Sequence, residues 1–148
     1  MSSSPRSDHF QSIVDVETRR LITAHASRLY KRYNSRTMVE LSVKPLKKID
    51  IISVAGRIDS ANVGELEVAL KGLQERGRHK LILDFEKLDY ISSAGLRAMV
   101  AALKTARSSS GDVVLVKPNE RIRDTLSLVG FQSLFVQYDD LLDAVDAF

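Results

Sequence analysis

From Val39 onward, short runs with strand patterning alternate with stretches of helical period, and no other feature restricts the fold so closely. Val39, Leu41 and Val43 are apolar, with Glu40, Ser42 and Lys44 between and after them. That period of two predicts a strand with one buried face. Pro45-Leu-Lys-Lys48 reads as a turn, and Ile49 to Gly56 as a second strand that closes a hairpin. The spacing becomes helical at Val63, Leu66, Leu70 and Leu73, with Ser60 or Asn62 as N-cap and Gly77 as the stop. Leu81 to Phe85 is a nearly continuous apolar run, the pattern of a strand covered on both faces.

The same alternation continues to the C-terminus. Leu96, Met99, Val100 and Leu103 predict a helix that Ser108-Ser-Ser-Gly111 ends, and Val113 to Val116 a second buried strand. Pro118 fits a helix start, with Ile122, Leu126 and Val129 facing inward and Gly130 closing it. Ser133 to Gln137 reads as a further short strand, and Asp139-Asp140 as the start of a last helix packing Leu142, Val145 and Phe148. The predicted order is β-β-α-β-α-β-α-β-α. It implies an α/β fold with a mixed sheet, an antiparallel hairpin followed by parallel strands, flanked by about four helices.

At 148 residues the chain accommodates one such domain and an appendage. With 44% apolar and 28% charged residues it is neither disordered throughout nor built for a bilayer. No stretch approaches the ~20 apolar residues that cross a membrane. The start, Met1-Ser-Ser-Ser-Pro-Arg-Ser-Asp, has no apolar core of a secretory signal. The absence of cysteine excludes a disulfide scaffold, a thiol nucleophile and a zinc–cysteine site, and it agrees with a cytoplasmic location.

Charge is unevenly placed. Residues 1–37 carry seven Lys/Arg against Asp8, Asp15 and Glu17, a net +4, which leaves 38–148 at −1. The main domain, residues 38–148, therefore lacks the footprint of a nucleic-acid binder. Within the basic extension, Phe10 to Tyr33 contains no Gly or Pro and repeats apolar residues at helical spacing. This predicts one amphipathic helix that must dock on the main domain, on a second copy to form a homodimer, or on a partner.

In an open α/β sheet, functional groups gather where strand ends lead into helices. Two such loops carry interesting chemistry: Gly56-Arg-Ile-Asp59-Ser60, and Leu88 to Arg97 with the segment Ser92-Ser93-Ala94-Gly95-Leu96-Arg97. A serine at a helix start is ordinarily an N-cap, contributing about 1 kcal/mol. One cap needs one serine, and Gly95 in the first turn lowers helix propensity by about 1 kcal/mol while leaving the neighbouring hydroxyl open. A phosphate on that hydroxyl would meet the positive end of the helix dipole.

Asp89-Tyr-Ile-Ser-Ser-Ala-Gly-Leu-Arg97, with Gly56-Arg-Ile-Asp59 upstream, resembles the STAS domain of bacterial anti-sigma-factor antagonists. The similarity runs from about Met38 to Phe148 and includes Pro118 and Leu128-Val-Gly-Phe131. The resemblance implies a partner switch rather than an enzyme or a cofactor-bearing protein. The unphosphorylated form would bind an anti-sigma factor that is also a serine kinase, phosphorylation would release it, and a serine phosphatase would restore it. Carried over by position, Ser93 matches the phosphoacceptor, with Ser92 as the second choice, where the family often has Asp. Asp59, Ser60, Ser92, Ala94, Gly95, Leu96 and Arg97 match the partner-facing positions. The alternative within the family is a scaffolding module, or one that binds a lipid or nucleotide, without a sigma-factor role.

Other readings fit less well. A serine hydrolase needs a Gly-x-Ser-x-Gly turn and a positioned histidine, and Ser93 has neither; His79 precedes a strand, at the end opposite the Ser93 loop. His9, His25 and His79 lack metal-ligand spacing, and neither standard nucleotide-binding glycine loop occurs. A phosphoaspartate receiver would place Asp84 at a central strand end, but the acidic pair after the first strand and the lysine after the fifth are missing.

Overall fold

The structure is a computed structural model that describes residues 39–148. The 1–37 extension and its expected helix lie outside the described residues. Strand β1 (Val39–Leu46) and β2 (Ile49–Ile58) form the expected antiparallel hairpin, in register from Val39 opposite Gly56 to Leu46 opposite Ile49. Helix α1 (Val63–Glu75) crosses to β3 (Lys80–Asp84), which lies parallel to the first half of β2. Next come β4 (Leu88–Ile91), α2 (Ser93–Ser108), β5 (Asp112–Val116), α3 (Glu120–Leu128), β6 (Gln137–Tyr138) and α4 (Leu141–Asp146). The main path of the sheet is β1-β2-β3-β5-β6, and β4 pairs with β2 off that path.

The two faces of the sheet are covered unequally. Leu66, Leu70 and Leu73 of α1, Leu96, Met99 and Leu103 of α2, and Ile122 and Leu126 of α3 pack on one face with Val54, Ile58, Leu83 and Leu115. On the opposite face, Ile51, Ile82, Val114 and Val116 meet Ala144 of α4. Leu83 and Val114 thus point to opposite sides although both strands are buried, which is why their sequences read as unbroken apolar runs.

Four local expectations are corrected. Residues 88–91, read as part of a loop, form β4. The last strand covers Gln137–Tyr138 rather than Ser133–Gln137, because Leu134 and Phe135 turn inward onto the core instead of extending. Helix α3 starts at Glu120 after the cap Asn119, whose Oδ1 accepts from Ile122 N–H at 2.8 Å, and Pro118 lies before that cap. Val129 and Leu142, expected to pack inward, are exposed.

Candidate functional site

The site assembles where β2 and β4 end side by side. Strand β2 leaves β3 after Ser53 and pairs with β4 from Gly56 on, with a register shift between Gly56 and Arg57; Gly56 adopts φ +100° there, a conformation that favours glycine. Gly56 N–H donates to the Lys87 carbonyl at 3.0 Å, and beyond the shift Arg57 and Ile58 pair with Tyr90 and Ile91. The shift carries the end of β2, Gly56 to Ile58, which sequence reading placed in a loop, and Asp59 after it to the mouth of α2. Ser92 N–H closes the junction by donating to the Ile58 carbonyl at 2.9 Å.

The two adjacent serines take different positions. Ser92 is the N-cap of α2, with extended backbone, and its Oγ accepts from Gly95 N–H at 3.3 Å. Ser93, the first helical residue, is exposed, and its hydroxyl makes no hydrogen bond to another described residue. Ala94 is half-buried and Arg97 exposed. Gly95 and Leu96 are buried beneath them. A Cβ at position 95 would stand 2.6 Å from Ile91 Cγ1 and 2.9 Å from Ile58 Cγ2. Gly95 therefore lets the helix settle onto the ends of β2 and β4, a role distinct from opening space around a hydroxyl.

The first loop is held by its own side chains. Asp59 Oδ1 accepts from the N–H groups of Ala61 at 2.9 Å and Asn62 at 3.1 Å, which fixes the turn into α1. Asn62 precedes α1 without capping it: its Oδ1 accepts from Asp59 N–H at 2.9 Å and its Nδ2 donates to the Arg57 carbonyl at 2.8 Å. Asp59 remains half-buried and Ser60 exposed at this end of the sheet.

Sequence reasoning missed two participants at the same end. The Arg57 guanidinium lies over the Tyr90 ring, 4.4 Å from its centroid. Asn119 Nδ2 donates to the Leu88 carbonyl at 2.9 Å and ties α3 to the start of β4. The Arg57–Tyr90 pair has no local signature, because it depends on the pairing of two strands that are distant in sequence. Asn119, one residue past the Pro118 read as the helix start, was singled out neither as the cap nor as a tether. Asp84, the receiver-like acid, accepts from Glu86 N–H at 3.1 Å as a strand-end turn residue. Among the described residues no helix is long and apolar enough to cross a membrane.

The STAS domain family matches residues 40–144. The chain is 37% identical over 93 residues to a Bordetella bronchiseptica protein named "Putative anti-sigma factor antagonist BtrV", covering 61% of this chain and 80% of that protein. It is 26% identical over 83 residues to an anti-sigma-B factor antagonist of Staphylococcus epidermidis, covering 56% of this chain and 77% of that one. The solved structure of an anti-sigma factor antagonist from Mycobacterium paratuberculosis shares the fold, with a TM-score of 0.69 at 23% identity over 78% of this chain and 97% of that one.

Proposed function

The chain belongs to the STAS domain family, and from that premise we propose that it is an anti-sigma-factor antagonist switched by phosphorylation of Ser93. Its unphosphorylated surface binds an anti-sigma factor that is also a serine kinase. That kinase transfers the γ-phosphoryl group of ATP to Ser93 Oγ, releasing ADP and the hydroxyl proton, and the modified protein dissociates. A serine phosphatase hydrolyses the phosphoester and restores binding. In this cycle the protein is ligand and substrate, and it acts in the cytoplasm.

The observation that carries the reading is the exposed, unengaged Ser93 hydroxyl at the first residue of α2, beside a Ser92 already committed to capping. Helix α2 has no acidic residue in its first turn, so a phosphate there meets the helix dipole favourably. Asp59, Ser60, Ser92, Ala94 and Arg97 frame the hydroxyl as the partner-facing surface. Gly95 and Leu96, buried, act through the shape they impose on that surface.

The energetics need no refolding. Phosphorylation adds about −1.5 to −2 charge at pH 7. A unit charge about 4 Å from a partner carboxylate costs about 4 kcal/mol at an effective dielectric of about 20. At about 1.4 kcal/mol per decade, that weakens binding by roughly several hundredfold.

Incubation with ATP and a cognate kinase should place phosphate on Ser93, read by phosphopeptide mapping. Calorimetry against the same kinase should show Ser93→Ala binding as tightly as the unmodified chain and Ser93→Asp losing affinity. Equal affinity for both variants, or phosphate on Ser92, would remove Ser93 from the role. A chain that takes no phosphate and binds a lipid or nucleotide instead would support the scaffolding or ligand-binding alternative.

A further inference from the structure

Arg97 follows Ser93 by four residues on α2, and both side chains are exposed. Residues at this spacing have Cβ atoms about 5–6 Å apart on one helix face, and an acid placed before its base is the favourable order. Helical side chains also lean toward the N-terminus, so the long Arg97 side chain reaches back over the turn that carries Ser93. Arg97 makes no ion pair with another described residue, whereas Arg78, Arg107 and Lys117 each have a carboxylate partner. Arg57, the neighbouring cation on β2, already lies on the Tyr90 ring.

We infer that Arg97 receives the phosphate of phosphorylated Ser93 within the same helix. The inference rests on the reading of Ser93 as phosphoacceptor and specifies how that site is regulated. Phosphorylation then changes the docking surface twice: it adds a dianion and withdraws the Arg97 guanidinium from any acidic partner. The guanidinium fork suits a phosphate better than an ammonium does, because it donates two parallel hydrogen bonds. The acids at this end, Asp59 in the β2–α1 turn and Asp89 on β4, disfavour the dianion, and Arg97 offsets them.

The test uses the full chain with phosphoserine incorporated at position 93 during synthesis, so no kinase is needed. The second ionisation of the phosphate is titrated by phosphorus NMR in the parent, Arg97→Gln and Arg97→Lys chains. Asp59, Asp89, Arg57 and Tyr90 are common to all three and cancel in the comparison. The parent should ionise about 0.3 unit below Arg97→Gln, the size of an exposed ion pair at this helical spacing. Arg97→Lys should recover part of that difference, and 1 M salt should abolish most of it. Equal midpoints for the parent and Arg97→Gln would overturn the inference. That result would leave the Ser93 switch standing, since kinase mapping tests the switch separately. Failure of a kinase to modify Ser93 would conversely leave this titration readable.

Discussion

Position 95 sits where α2 comes down on the ends of β2 and β4, facing Ile58 and Ile91, each 1% exposed. Both neighbours are β-branched and buried, which leaves their side chains little room to swing aside from an added methyl group. Gly95→Ala should gain about 1 kcal/mol of helix propensity and lose about 1–3 kcal/mol to overpacking. A net destabilisation of up to about 2 kcal/mol is expected, read as a lower urea midpoint with an unchanged slope. Gly95→Val should lose more, and a midpoint equal to the parent's would mean that the helix shifts freely. The sequence presents Gly95 as a weak helix residue beside an available serine. What it packs against depends on where β2 changes partner, and no local pattern around residue 95 carries that information.

Helix α2 and strand β4 differ in how plainly the chain writes them. Seven buried residues of α2 recur at helical spacing, and the Ser92-Ser93 pair at its start signals a cap by composition, which the structure assigns to Ser92. Ser92→Ala should remove that acceptor and cost about 1 kcal/mol, concentrated in faster amide exchange over the first turn of α2. Uniform exchange across the helix would show that Ser92 does not hold its start. Because Ser92 caps while Ser93 stays exposed, Ser92→Ala should retain phosphorylation at Ser93. Strand β4 is four residues long, with the burial order buried, exposed, half-buried, buried. That order matches neither strict alternation nor a continuous apolar run, so β4 merges with the loop that follows it. The stretch Ser133–Gln137 errs in the other direction. Its apolar composition suggests a strand, but Leu134 N–H bonds back to the Phe131 carbonyl at 3.0 Å and Phe135 plugs the helix-covered core.

Across the whole molecule, class and element order, β4 aside, follow from alternating periods, whereas the fastening of hairpin to crossover does not. Asp50 is 2% exposed on β2, and Arg78 reaches it from the connection between α1 and β3. Arg78 Nε donates to Asp50 Oδ2 at 2.6 Å, while its terminal nitrogen donates to the carbonyls of Lys47 at 2.6 Å and Ile49 at 3.3 Å. One guanidinium thus joins the β1–β2 turn, the start of β2 and the end of the first crossover. These segments are about 30 residues apart in the chain, too far for the pairing to be read from spacing. Removing one member of a buried pair leaves an uncompensated charge, so Arg78→Ala should destabilise the fold by about 3 kcal/mol. Arg78→Lys should recover less than half, because an ammonium is a compact charge and cannot reproduce the planar fork. Replacing both partners with apolar residues of similar volume, Asp50→Leu with Arg78→Met, should destabilise less than Arg78→Ala alone, since no charge is then stranded. Chemical denaturation of the three variants decides the matter. A double variant less stable than Arg78→Ala would mean that the stranded Asp50 charge is not what Arg78→Ala costs.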